Sequence, residues 1–231
     1  MTTLLPEGFD PADVAAFGYR SDRWNFVEGE ALTGIVSKLN KEQNRYVISA
    51  TNSRVVWRTL LFYPGATLVR VTDFTWRPHG VPLYFIGLRG QYRRLDGSRR
   101  FLQFMNDKIP LKLTAQLAPE YLRFYCFFVR SEGRPFILAE KPEDLGLFDP
   151  PLSAEQQAAV DAALRPIALL KEDPATGFDM SAIVRFSHTL FDCTFNISPK
   201  GHVRMTGDTE LPLNRSEEHT SEIQSPCNLV C

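Results

Sequence analysis

Between Ala31 and Asn106 the chain reads as short apolar runs rich in Val, Ile, Tyr, Phe and Trp, separated by polar and turn-forming clusters. The separators are Lys41-Glu42-Gln43-Asn44, Tyr63-Pro64-Gly65, Arg77-Pro78-His79-Gly80 and Asp96-Gly97. β-Branched and aromatic side chains fit a pleated, half-buried surface, and Gly, Pro, Asn and Asp interrupt it. The pattern therefore predicts strands near 31–38, 45–51, 54–62, 67–74, 83–88, 91–95 and 98–105. An Asp-Gly pair supplies the two positive φ angles of a type I′ hairpin turn, which would set Leu95 against Ser98, Arg94 against Arg99, Arg93 against Arg100 and Tyr92 against Phe101.

Helical signals flank this region. Asp10 before Pro11 is a cap followed by a first-turn proline, predicting a short helix from Pro11 to Phe17. Pro119 and Glu120, with Tyr121, Leu122, Tyr125, Phe128 and Val129 at helical spacing, predict a helix within 117–129, followed by a strand at 135–140. Gly146 to Pro151 has the composition of a linker. Ser153-Ala-Glu-Gln156 is a capping box opening an Ala-rich helix to about Leu164. Residues 182–196 and 202–205, on either side of Pro199-Lys200-Gly201, read as a second hairpin.

The expected class is α+β with β predominating, an antiparallel twisted sheet or partly closed barrel braced by a few short helices. No regular βα alternation supports a Rossmann or TIM architecture. The expected division is a β-rich domain over 1–145 with its N-terminal helix, a linker at 146–153, and a helix plus hairpin over 154–214. That last segment is either the start of a truncated second domain or a piece packed on the first. With 44% apolar and 23% charged residues the bulk of the chain can bury a core, which excludes disorder. No run of about 18 apolar residues occurs, and the start through Pro6 lacks a basic and an apolar region, so the reading is a cytoplasmic chain without a membrane span.

Residues 215–231 stand apart. Arg215 to Ser225 reads RSEEHTSEIQS and resembles the peptide obtained when a short-read sequencing adapter is translated, with Ile223 in place of Leu. The resemblance implies a non-native tail that contributes nothing to the fold. It also removes Cys227 and Cys231 from any metal or disulfide argument, leaving Cys126 and Cys193, which both read as small buried hydrophobes.

No P-loop, dinucleotide fingerprint, nucleophile elbow, two-His zinc helix, EF-hand loop or paired Cys-x-x-Cys motif is present. His188, Asp192 and Cys193 lie within six residues, but strand alternation turns Cys193 away from the other two and so denies a cysteine nucleophile its base. His202 with Asp208 sits at a hairpin end, and His79 follows Pro78 in a loop. Neither arrangement specifies a catalytic or metal site, and no cofactor is expected.

Charge is the feature with functional content. Residues 54–134 hold 14 basic and 5 acidic side chains, against 6 basic and 12 acidic in 135–214. On the expected hairpin, Arg93, Arg94, Arg99 and Arg100 would form two like-charge cross-strand pairs, which need something negative nearby. Together with Tyr92 and Phe101 they are the candidate anion- or partner-binding residues. The expected partner is an acidic protein surface or the chain's own C-terminal segment. The expected function is a binding or interaction module. The alternatives are a hydrolase whose remaining active-site residues lie beyond residue 214, and a nucleic-acid binder using the arginine hairpin.

Overall fold

The computed structural model describes residues 24–42, 46–76, 82–131, 134–145, 152–186 and 189–211. The expected helix at 11–17, the turn at 77–80, the linker at 146–151 and the tail from 215 lie outside the described residues. The chain forms two compact units, Met1–Lys112 and Leu113–Cys231. The class is α+β, with strand predominating in antiparallel sheets. Neither main sheet closes into a barrel among the described residues.

The first unit is a five-stranded meander. Strands β1 (Asn25–Phe26), β2 (Ser53–Thr59), β3 (Ala66–Asp73), β4 (Leu83–Leu88) and β5 (Gln91–Arg94) pair in sequence order, each antiparallel to the next. Helix α1 (Gly29–Lys41) connects β1 to the meander, and α2 (Arg99–Lys108) follows it. Val55, Val69, Val71, Leu83 and Phe85 form a core with Val36 and Leu39 of α1 and with Tyr46, Ile48 and Trp76.

Three expected strands are absent here: 98–105 is taken up by α2, and the other two are lost for different reasons. Residues 31–38 lie inside α1, where Leu32, Ile35, Val36 and Leu39 fall on one helical stripe and pack on the sheet. That burial overrides the local strand preference of Ile35 and Val36. Over 46–51 the chain runs as a loop because the Asn40 side chain replaces a strand partner. Its amide donates to the Ile48 carbonyl at 2.8 Å and its oxygen accepts from the Ile48 N–H at 2.9 Å.

The expected Asp96-Gly97 hairpin is also corrected. The type I′ geometry sits one turn earlier, at Arg89 (φ 50°) and Gly90 (φ 77°), between the paired residues Leu88 and Gln91. Arg89 is the one positive-φ residue other than glycine among those described, so its backbone is strained. Arg89→Asn should therefore raise stability by about 0.5–1 kcal/mol, since Asn tolerates this conformation far better. A urea midpoint that stays put or falls would contradict it.

The second unit begins with α3 (Ala118–Phe128), whose first-turn proline and buried Tyr121, Leu122, Tyr125 and Phe128 match the sequence reading. The expected strand at 135–140 is replaced by shorter pieces. Strand β6 (Arg130–Ser131) pairs with β7 (Arg134–Pro135), and β8 (Ile137–Leu138) follows before a single 3-10 turn at Pro142–Asp144. Helix α4 (Ala154–Ala163) opens with the expected capping box, in which Ser153 Oγ accepts from Gln156 N at 3.2 Å and Gln156 Oε1 accepts from Ser153 N at 2.8 Å.

Strands β9 (Ala168–Asp173), β10 (Gly177–Phe186), β11 (Thr189–Ile197) and β12 (Val203–Glu210) complete the unit. The stretch expected as one arm over 182–196 is thus two strands, and the Pro199-Lys200-Gly201 turn joins β11 to β12. Along the other edge of β10, β9 pairs with its first half and β8 with Val184 and Arg185. This pairing corrects the expected division at 146–153, because a strand from before that point shares a sheet with strands from after it. The Glu140 carboxylate fastens the same region. It takes two hydrogen bonds from Arg123, at 2.5 and 2.8 Å, and one from the Ile167 N–H at 3.1 Å. No helix of the described residues is long and apolar enough to cross a membrane.

Candidate functional site

The structure separates the six residues expected to share an arginine hairpin. Tyr92, Arg93 and Arg94 lie on β5, whereas Arg99, Arg100 and Phe101 open α2. Ser98 explains the difference. Its N–H donates to Asp96 Oδ1 at 2.8 Å and its hydroxyl accepts from Phe101 N at 3.1 Å, so Asp96 to Ser98 is a turn into a helix cap. No cross-strand arginine pair forms between the two groups.

Each residue has a separate local role. Tyr92 packs half-buried against the core of the first unit, and burial pushes its phenol above the ordinary range. Arg93 donates to Glu42 at 2.6 Å, so the nearest carboxylate comes from the end of α1. The Arg94 guanidinium lies 5.5 Å from the Tyr46 ring centroid. Arg99 and Arg100 occupy the first turn of α2, where no acidic residue stands and the helix dipole disfavours a cation.

A different arginine group is brought together by strand register. Arg54 opposes Thr72, and Val56 opposes Arg70 across β2 and β3. Alternation puts Arg54 and Arg70 on one face as diagonal neighbours, with Cβ atoms about 7–8 Å apart. Phe26 on β1 opposes Val56 and so joins the same face. Arg58, four residues along β2 from Arg54, shares their parity.

Aromatic rings support the two central cations. The Arg54 guanidinium lies 4.6 Å from the Phe26 ring centroid, and that of Arg70 lies 4.7 Å from the Trp24 ring. Such contacts contribute roughly 0.5–1 kcal/mol each at exposed positions and hold the guanidinium plane over the ring. Neither Arg54 nor Arg70 has a carboxylate partner among the described residues. Phe74 extends the row. Its N–H donates to the Asn52 carbonyl at 3.1 Å, which carries the β2–β3 ladder one step further and gives Phe74 the parity of Arg70 and Thr72. Phe26 is 55% exposed and Phe74 is 71% exposed.

The surroundings favour negative charge. The sequence of the first unit, 1–112, carries 16 basic side chains against 10 acidic ones. Asp73 is only 2% exposed and is spent on internal hydrogen bonds, so it does little to offset the surface. Sequence reasoning passed over this group, although its signal was readable. Arg54, Val56 and Arg58 alternate on one side of a Val-rich strand, and Trp24 and Phe26 have the same two-residue spacing.

The remaining candidates do not assemble. His79 and His188 lie outside the described residues, and His202 is exposed at the β11–β12 turn. Asp192 points to the side of β11 where Arg165 pairs with it at 2.5 Å, while Cys193 is fully buried on the other. Cys126 is buried in α3, and desolvation pushes its thiol far above the ordinary range. No group of three or more His, Cys, Asp or Glu among the described residues is placed to hold a metal ion. A scan against protein-family models and searches of curated proteins and of solved structures found no match to the chain.

Proposed function

We propose that the chain is a binding or interaction module whose first unit takes a polyanionic partner on the Arg54–Arg70 face. The observation that supports this reading most directly is the pair of ring-supported guanidiniums without a carboxylate partner among the described residues. Two like charges held as diagonal neighbours repel, and an external anion relieves that repulsion. Guanidinium donors also fit phosphate and carboxylate oxygens in pairs.

The test is retention on immobilised heparin, a polyanion with no sequence to read. The wild-type chain should bind at low salt and elute as salt rises, because the attraction is screened. Arg54→Glu with Arg70→Glu should elute clearly earlier. Flow-through of the wild type, or co-elution of the two proteins, would refute the reading.

A further inference from the structure

We infer that the polyanion is single-stranded nucleic acid, with Arg54, Arg70 and Arg58 along its phosphates and Phe26 and Phe74 under its bases. This rests on the polyanion reading and narrows it by three features of the same face.

The first is the interleaving of cations with exposed rings. An acidic protein surface presents carboxylates to the arginines but offers no flat group to stack on the exposed Phe26 and Phe74 rings. A single strand presents both phosphates and base faces, and bases stack on Phe rings and on guanidinium planes alike. Arg54 already lies over Phe26 at 4.6 Å, which sets a cation and a ring together at one point of the face.

Shape supplies the second feature. These residues project from an antiparallel sheet, with Arg54, Phe26 and Arg70 on two adjacent cross-strand rows. Reading duplex DNA calls for a helix or ribbon that enters a groove, whereas the exposed margin of this face, bounded by the buried Val56, Leu68 and Ile86 of the same parity, suits a few unstacked bases laid on its rings.

Third, the polar groups lie in a line. Arg54 and Arg58 stand four residues apart on one side of β2, which is about 13 Å along the strand, and Thr72 opposes Arg54 with a hydroxyl for phosphate or sugar. A line of cations of that length follows an extended backbone better than a point anion.

Fluorescence anisotropy with a labelled single strand of about 15 nucleotides tests the inference, a length near the upper end of single-fold site sizes. The single strand should bind more tightly than its duplex and more tightly than polyglutamate of matched charge. Arg54→Gln with Arg70→Gln should weaken binding at least tenfold and reduce the slope of log affinity against log salt by about 1.4, at about 0.7 per lost phosphate contact. Phe74→Ala should weaken binding severalfold with the slope unchanged, as expected of a stacking group.

Thermal unfolding checks that the variants fold. Should the Gln pair unfold, Arg54→Lys with Arg70→Lys carries the test, because charge is kept and planar stacking is lost. Affinity should then drop severalfold at an unchanged slope, and undiminished affinity would overturn the inference. Binding of polyglutamate but not of the single strand would also overturn it while leaving the polyanion reading intact. Failure on heparin and on the oligonucleotide together would remove both.

Discussion

Replacing Gly177 with alanine is expected to destabilise the second unit by about 3 kcal/mol or more. Gly177 opens β10 with φ 93°, a region L-residues avoid, and a Cβ there would stand 2.0 Å from the Ile197 carbonyl oxygen and 2.9 Å from Ser198 Cα. Both obstacles are backbone, so no side chain can move aside. The neighbours are fixed as well. Phe178 and Ile197 begin the β10–β11 ladder, and Asp173 Oδ1 accepts from Ala175 N at 2.8 Å and Thr176 N at 3.2 Å in the turn before Gly177. The expected result is a large fall in the urea midpoint followed by far-UV circular dichroism. Gly34 is the counter-case. It lies in α1 with nothing within 4 Å of an added Cβ, so Gly34→Ala should stabilise by about 0.5–1 kcal/mol. A Gly177→Ala protein with a wild-type midpoint would show that the strand start can shift without cost.

Elements defined by capping and proline chemistry are visible from composition alone, as Ser153 with Gln156 and Pro119 in α3 demonstrate. Strands β2, β3 and β4 were legible for a related reason, since Val-rich segments between turn formers have few other uses. The failures come from residues with two local meanings. Asp96-Gly97-Ser98 suits a hairpin or an entry to a helix, and the stripe of Leu102, Met105 and Ile109 decides for the helix. The true hairpin turn uses Arg89, which no turn preference favours. The candidate face suffered for the same reason. Its arginines come together through the register of β2 with β3, and register is a property of the assembled sheet, so only the alternation on each strand could be read beforehand.

Asp73 carries the second large effect, and pH separates its contribution from ordinary packing. Its Oδ2 accepts from Ser53 Oγ at 2.5 Å and from Ser49 N at 3.4 Å, and its Oδ1 accepts from the N–H of Thr75 at 2.8 Å and from the Thr75 hydroxyl. One carboxylate thereby ties the loop after Tyr46 to the ends of β2 and β3, next to the Trp76 ring that seals the core. Burial pushes its pKa up, but the hydrogen bonds from Ser53, Thr75 and Ser49 together outweigh that and hold it below the ordinary aspartate value. A depressed folded-state pKa means that the ionised group stabilises the fold. That stability is fully present above the unfolded carboxyl value near pH 4 and is lost as pH falls through the lower folded-state value. Asp73→Asn keeps the volume but replaces one acceptor with a donor facing hydroxyl and amide donors, so it should cost about 2–3 kcal/mol at pH 7. The gap between wild type and variant should narrow as pH is lowered towards 3. Glu140 is also held below its ordinary range, so it adds an acid-sensitive component of its own, but that component is common to both proteins and cancels in the difference. Urea midpoints of the pair at pH 7, 5 and 3 read this out, and a gap that is constant across the series would mean that Asp73 acts through shape rather than charge.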